Sequence, residues 1–297
     1  MKSNFDCIII GAGPAGLSAA LYLKQAGQNI KIIDKNAPGG QLLKTNIIDN
    51  YLGIPNINGA DLALKMVEHI NSLNIQIEYE EVTNIQKDKE NYIIKCKNKE
   101  LKTKYIIIAT GKTPNKLKIS TDKVKGISYC AICDGMLYKN KIVAVVGAGD
   151  KAYTESLYLS NICKKIYIIV RNKTKAKQEL IDKVNKTNNI EILKQKEITE
   201  IITDNNIITK IKLNNQEIIN IDGLFISIGG KPNLNFIKNI EKEEEYIKVN
   251  ENLETSMPNI YAVGDVRKKK YYQIISAIND GMTAALNIKE RIRNETN

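Results

Sequence analysis

The chain has no tryptophan, three phenylalanines, six prolines and a single histidine, His69, in 297 residues. With one histidine, an imidazole-based catalytic triad is disfavoured, and so is a histidine-rich metal site. His69 lies in "GADLALKMVEHINSLN", a helical pattern in which it reads as an ordinary surface or half-buried residue. Five cysteines are too few and too scattered for a disulfide framework, which fits a reducing compartment. No apolar run reaches the roughly 20 residues of a membrane span. The opening "MKSNFDCIIIGAG" runs straight into a strand-like stretch and lacks the apolar region and cleavage site of a signal peptide. Together these absences predict a cytoplasmic protein without a membrane partner.

Acidic residues are the minority: 33 against 44 lysines and arginines, a formal charge of +11. The lysines are spread along the chain among Asn, Ile and Glu, and no recognition helix or RNA-binding motif accompanies them. The excess therefore reads as a solvated surface, not a nucleic-acid footprint. A basic surface of this kind could also steer an acidic protein partner. The length suits two domains.

Two glycine-rich turns are present. "FDCIIIGAGPAGLSAALYLKQAG" begins with a buried-strand run, Cys7 to Ile10, followed by Gly11, Gly13 and Gly16 and a helix pattern. "IKIIDK" is a second strand, ending at Asp34. Strand, glycine turn, helix, strand and terminal acid form the dinucleotide fingerprint in its required context. Gly11 allows the tight turn, Gly13 admits a pyrophosphate, and Gly16 lets helix and strand pack closely. The pyrophosphate would sit at the helix N-terminus, and Asp34 would accept from a ribose hydroxyl.

The pattern returns in "KIVAVVGAGDKAYTESLYLS", with strand Ile142–Val146, Gly147, Gly149 and Ala152. The next strand, in "KIYIIVRNK", ends in Arg171, and a base there suits a 2′-phosphate. Two dinucleotide units imply hydride traffic between two cofactors, such as a flavin and a nicotinamide. The alternative is a second copy that only holds the fold. "YIIIATGK" and "LFISIGGKPN" are strands ending in small residues, and "TSMPNIYAVGD" ends a strand at Gly264-Asp265 before a helix over about 273–293. The tail thus reads as a return to the first domain.

Cys130 and Cys133 lie in "SYCAICDG". Structural zinc generally needs a second such pair or histidines, neither of which is nearby. Two inert buried cysteines are a second alternative. The remaining reading is a redox pair closing at a helix N-terminus, where a thiolate is stabilised. Asp134 beside it could move a proton or merely cap the helix.

At these residues the chain resembles low-molecular-weight bacterial thioredoxin reductase, a class II FAD-dependent pyridine nucleotide-disulfide oxidoreductase. The blocks that match are "GAGPAGLSAALYL", "PGGQLL", "ATG", "YCAICDG", "GAGDKA", "IGGKPN" and "TSMPNIYAVGDV", in order and spacing along nearly the whole chain. The resemblance implies an α/β fold of two Rossmann-like dinucleotide-binding domains, the second inserted in the first. The expected boundaries are residues 1–112 and 243–297 for FAD and 113–242 for the nucleotide-binding domain carrying the cysteines. FAD would be held by Gly11, Gly13, Pro14, Ala15 and Gly16, by Asp34 with Lys35, and by Gly40, Gln41 and Asn50. Thr110, Gly111, Gly264, Asp265, Gln273 and Ile274 would complete that site. NADPH would meet Gly147, Gly149, Asp150, Ala152 and Arg171. Electrons would pass from NADPH through FAD and the Cys130–Cys133 disulfide to thioredoxin. Cys133 would face the flavin, Cys130 would attack the partner disulfide, and Asp134 would be the general acid. A homodimer is implied as well.

The chain departs from the family at the 2′-phosphate motif. Where the family has His-Arg-Arg and a further Arg, this chain has Val170-Arg171-Asn172 and Ala176, with Lys173, Lys175 and Lys177 nearby. A lysine point charge does not replace a bidentate guanidinium. NADPH, NADH and reduced ferredoxin therefore stand as alternative donors, NADPH first because Gly147, Gly149 and Ala152 are intact. Asn115 and Tyr272 also stand where the family has arginines, and "RKKKYYQ" is unusually basic and aromatic; it reads as a partner surface or, in preference, as ordinary surface Lys and half-buried Tyr. The ferredoxin/flavodoxin–NADP reductases of this fold lack the cysteine pair. The peroxiredoxin-reducing flavin subunits carry a thioredoxin-like N-terminal extension.

Overall fold

The computed structural model describes residues 4–45, 47–121 and 124–296. The chain divides into two compact units, Met1–Thr113 with Lys231–Asn297, and Pro114–Gly230.

The first unit starts with β1 (Asn4–Ile10), α1 (Pro14–Gln25), β2 (Ile30–Asp34), α2 (Gly59–Ser72) and β3 (Ile77–Tyr79). A meander follows: β4 (Val82–Asp88), β5 (Asn91–Cys96) and β6 (Glu100–Ile108). The apolar run Cys7–Ile10 is buried on both sides because β1 is central, parallel to β2 and to β6, with Ile10 opposite Ile33 and Ile108. Pro14 opens α1 at a position where its missing N–H costs nothing.

The second unit contributes β7 (Ile127–Ser128), the four-residue α3 (Ala131–Asp134), β8 (Ile142–Val146), α4 (Asp150–Ser160), β9 (Lys165–Val170), α5 (Gln178–Asn185) and β10 (Ile190–Lys194). An antiparallel sheet of β11 (Ile198–Asp204), β12 (Ile207–Leu213) and β13 (Ile218–Asn220) precedes β14 (Gly223–Ile226). Five parallel strands run in the order β7-β14-β8-β9-β10. Val145, Ile168 and Phe225 pack with Tyr153 and Leu159 of α4 on one face; Ala144, Ile169 and Leu224 pack with Ile208 and Ile211 of the antiparallel sheet on the other.

The chain then returns to the first unit as β15 (Ile260–Ala262), parallel to β6, and α6 (Ile274–Thr296). The latter is longer than the helix expected from the sequence. Its Ala277, Ala284, Ala285 and Ile288 join the core cluster that holds Ala15, Ala19 and Leu23 of α1. A Cβ on Gly281 would meet the Ala15 carbonyl oxygen at 2.1 Å, so the two helices touch through a glycine.

The unit boundary falls at 230/231, not at 242. Leu234, Phe236, Ile237 and Ile240 are buried in the first unit's core with Ile247 and Val266, so the segment that carries them belongs there.

Candidate active site

Each glycine turn is tight at its first glycine and open at its second. Gly11 has φ +109°, and a Cβ there would meet the Ala109 carbonyl oxygen at 2.4 Å. A Cβ on Gly16 would run into the Gly11 carbonyl. Gly13 meets nothing within 4 Å. The second turn repeats this: Gly147 is blocked by the Ser227 carbonyl at 2.4 Å, whereas Gly149 is open. Open space at the middle glycine, ahead of a helix N-terminus, is what close approach of a pyrophosphate demands.

In the first unit the chain converges on the Ala12–Ala15 turn. Asp34 accepts from the Ala12 N–H at 2.7 Å and from Asn36 N–H at 2.9 Å. Gly39 N–H donates to the Ala12 carbonyl at 2.8 Å, and the Cβ position of Gly40 lies 3.5 Å from the Gly13 Cα. Gly264 is close to Ala15, and its N–H donates to Asp280 at 3.0 Å. The Asn50 amide donates to Gln273 at 3.1 Å, and Gln41 to the Lys112 carbonyl at 3.0 Å. Thr110 donates to the Asn233 carbonyl at 2.8 Å, while the Asn233 amide donates back to the Thr110 carbonyl at 2.9 Å. Gly111 follows with φ +60°, and Ile274 is the first residue of α6. Lys35 is the outlier: its ammonium pairs with Glu81 at 3.2 Å, at the surface. Asp34, Gly39, Gly40 and Gly264 are thus brought together around the first glycine turn.

The "RKKKYY" stretch has mostly internal roles. Arg267 makes two bonds to Asp280, at 2.9 and 2.6 Å. Lys269, its side chain 7% exposed, reaches Asp280 at 3.3 Å and Asp265 at 3.6 Å. Lys268 pairs with Glu243 and Glu244. The Lys112 ammonium sits 3.2 Å from the centre of the Tyr272 ring. Only Lys270 and Tyr271 of the stretch are exposed, so the reading of its lysines as plain surface fails at Lys269. Asp280 went unnoticed in the sequence, although an acid on a helix face with Ala277, Ala284 and Ala285 is a signal of a buried charge pair.

In the second unit Cys130 and Cys133 are joined as a disulfide. Cys130 caps α3, its sulfur accepting from the Cys133 N–H at 3.2 Å. Among the described residues no group of histidine, cysteine and acid side chains could hold a metal ion. The Asp134 side chain makes no cap to the 3-10 turn that follows it; its carboxylate accepts from the Ser128 hydroxyl at 2.6 Å. Ser128 is buried on β7, and its oxygen accepts from the Cys130 N–H at 3.1 Å. One buried hydroxyl thus holds both the carboxylate and the first cysteine's backbone. Tyr138 is pushed up to about 12 by burial, with the Asp134 charge adding to it. Behind α3, Glu155 of α4 is buried and accepts from Ala131 N–H at 3.4 Å and from the Ser227 hydroxyl. Tyr129, Ile132, Met136 and Leu137, which flank the pair, are exposed apolar side chains. Cys7, Cys96 and Cys163 are buried free thiols, and burial pushes Cys96 and Cys163 up to about 11.

Asp150 opens α4, its carboxylate accepting from Lys177 N–H at 2.8 Å, and Ala152 is fully buried beneath the turn. Arg171 follows the end of β9 and pairs with Glu197 at 3.5 Å.

Two glycine-turn units, one bearing a disulfide, define a class, and the comparison with known proteins agrees: the chain belongs to the pyridine nucleotide-disulphide oxidoreductases, whose family model matches residues 5–281. It is an FAD-dependent enzyme of the thioredoxin reductase type. It is 40% identical over 300 residues to the thioredoxin reductase of Ureaplasma parvum, covering 97% of each chain. The crystal structure of thioredoxin reductase from Streptococcus pyogenes matches with a TM-score of 0.92 at 30% identity, over 99% of this chain and 100% of that one. A ferredoxin-flavin thioredoxin reductase from Clostridium acetobutylicum matches at 32% identity and a TM-score of 0.57, over 99% and 100%. Among the described residues, no helix is long and apolar enough to cross a membrane.

Proposed function

We propose that this enzyme passes two electrons from NADPH to the disulfide of a cytoplasmic thioredoxin, with FAD in the first unit and the dinucleotide in the second. The observation that carries this reading is the Cys130–Cys133 disulfide with Asp134 held beside it by Ser128. Bound FAD would supply the two-electron relay between a nicotinamide and a disulfide. The protein's own part begins once Cys130 and Cys133 are dithiol. The Cys130 thiolate attacks a sulfur of the partner disulfide, forming a mixed disulfide and releasing one partner thiolate. Asp134, held by Ser128, takes the proton that leaves the Cys130 thiol and passes it to that leaving thiolate. Cys133 then attacks Cys130, restoring the internal disulfide, and its thiol proton passes to the second partner sulfur, so that the partner leaves as dithiol. The apolar side chains Ile132, Met136 and Leu137 suit contact with a protein substrate. By the same resemblance, the enzyme works as a homodimer.

A second reading has a protein donor. Of the 2′-phosphate motif only Arg171 remains, and the surface is Lys-rich, as an acidic ferredoxin would require. Anaerobic mixing separates the readings. Bleaching of the flavin band by NADPH supports the first; bleaching only by reduced ferredoxin supports the second.

A further inference from the structure

The basic end of the second nucleotide-binding strand already has an anion. The Lys196 N–H donates to the Val170 carbonyl at 3.2 Å, which draws the turn between β10 and β11 against the end of β9. In that turn the Glu197 carboxylate lies 3.5 Å from the Arg171 guanidinium and 3.2 Å from the Lys118 ammonium. Lys118 first, and Arg171 after it, hold the Glu197 carboxyl below the usual range. From the other side, Lys175 N–H donates to the Ala148 carbonyl at 2.7 Å, and Lys177 N–H to Asp150. Residues 171–177 are thereby laced to the Gly147–Gly149 turn, and Arg171, the turn and Glu197 share one end of the parallel sheet. In a Rossmann unit the adenosine ribose lies over this strand end, where an acid accepts from a 2′-hydroxyl and an arginine takes a 2′-phosphate.

We propose that Glu197 sets the dinucleotide specificity of this enzyme: it occupies the Arg171 guanidinium where a 2′-phosphate would bind, and offers a carboxylate to an unphosphorylated ribose. The site then discriminates only weakly between NADPH and NADH. This rests on the second unit being a nicotinamide dinucleotide site. Two features of the pair set the size of the effect. Arg171 is 57% exposed and Lys118 74%, so their hold on Glu197 is loose and a phosphate can compete. Yet a phosphate on Arg171 would face the Glu197 charge at short range, which costs affinity as long as that charge is present.

The test is binding of adenosine 2′,5′-bisphosphate and of 5′-AMP to the full-length flavoprotein by titration calorimetry, in wild type and Glu197→Gln. The amide keeps the shape and removes the charge. The expected result is tightening of the bisphosphate by about two- to fivefold, with 5′-AMP unchanged or weaker. Adding Arg171→Ala to that variant is expected to abolish the gain. The KM ratio of NADPH to NADH should fall in Glu197→Gln in the same proportion. Equal changes for both ligands, or none for the bisphosphate, overturn the proposal alone. Failure of the wild type to bind either ligand, with no flavin bleaching by either dinucleotide, overturns it together with the reading of the second unit.

Discussion

The Ser128 hydroxyl donates to the Asp134 carboxylate at 2.6 Å, and the same oxygen accepts from the Cys130 N–H. A buried hydroxyl in this position ties the acid to the backbone of the first cysteine. Ser128→Ala is therefore expected to slow thioredoxin reduction by about tenfold or more, since a hydrogen bond to a charged group is worth about 1.5–3 kcal/mol. Flavin reduction by the dinucleotide should stay at the wild-type rate. Stopped-flow measurement of the two half-reactions separates them.

Glu155 supports α3 from behind. In Glu155→Ala the Ser227 hydroxyl and the Ala131 N–H lose a buried acceptor, at a cost of about 1–3 kcal/mol. Calorimetry should show the second unit melting several degrees lower. An unchanged melting profile would mean that the carboxylate carries no load there.

Asp280 is a buried carboxylate, its side chain 3% exposed, holding Arg267, Lys269 and the Gly264 N–H. Removing its charge leaves Arg267 uncompensated and Lys269 with Asp265 alone. Asp280→Asn should destabilise the first unit by about 3–5 kcal/mol in urea. Because the Gly264-Asp265 turn hangs on it, the variant should also lose flavin on dialysis.

The three lone cysteines separate from the redox pair by titration. Burial keeps Cys96 and Cys163 protonated up to about 11, against an ordinary value of 9.0. Between those limits the unfolded chain loses protons that the native chain retains, so stability should fall as pH rises from 9 to 11. Below pH 9 both states are protonated, and these thiols add no pH dependence. Alkylation at pH 8 of native, oxidised enzyme should label no cysteine. After reduction it should label two, and mass mapping should find them at Cys130 and Cys133.

Both glycine turns and their flanking strands were legible in the sequence because each is a local solution to a backbone problem: Gly11 needs a positive φ, and Gly16 leaves no room for a Cβ. Cys130 and Cys133 were legible for the same reason, their spacing being intrinsic to one turn. Part of what could not be read depends on distant pairing. Glu197 comes 26 positions after Arg171, and only the register of β9 with β10 brings the following turn back to it. Ser128 lies only six residues before Asp134, but no motif marks the turn from β7 into α3 that joins them. The boundary at 230 was missed because Leu234, Phe236, Ile237 and Ile240 carry an apolar pattern that would suit either core.

The most direct measurement is NADPH-driven reduction of thioredoxin, followed anaerobically in wild type and Cys133→Ser with the flavin band recorded at the same time. In the variant the flavin is expected to bleach while no thioredoxin dithiol appears, because Cys130 alone can form a mixed disulfide but not resolve it. Turnover of the variant at the wild-type rate would contradict a route through the Cys130–Cys133 disulfide.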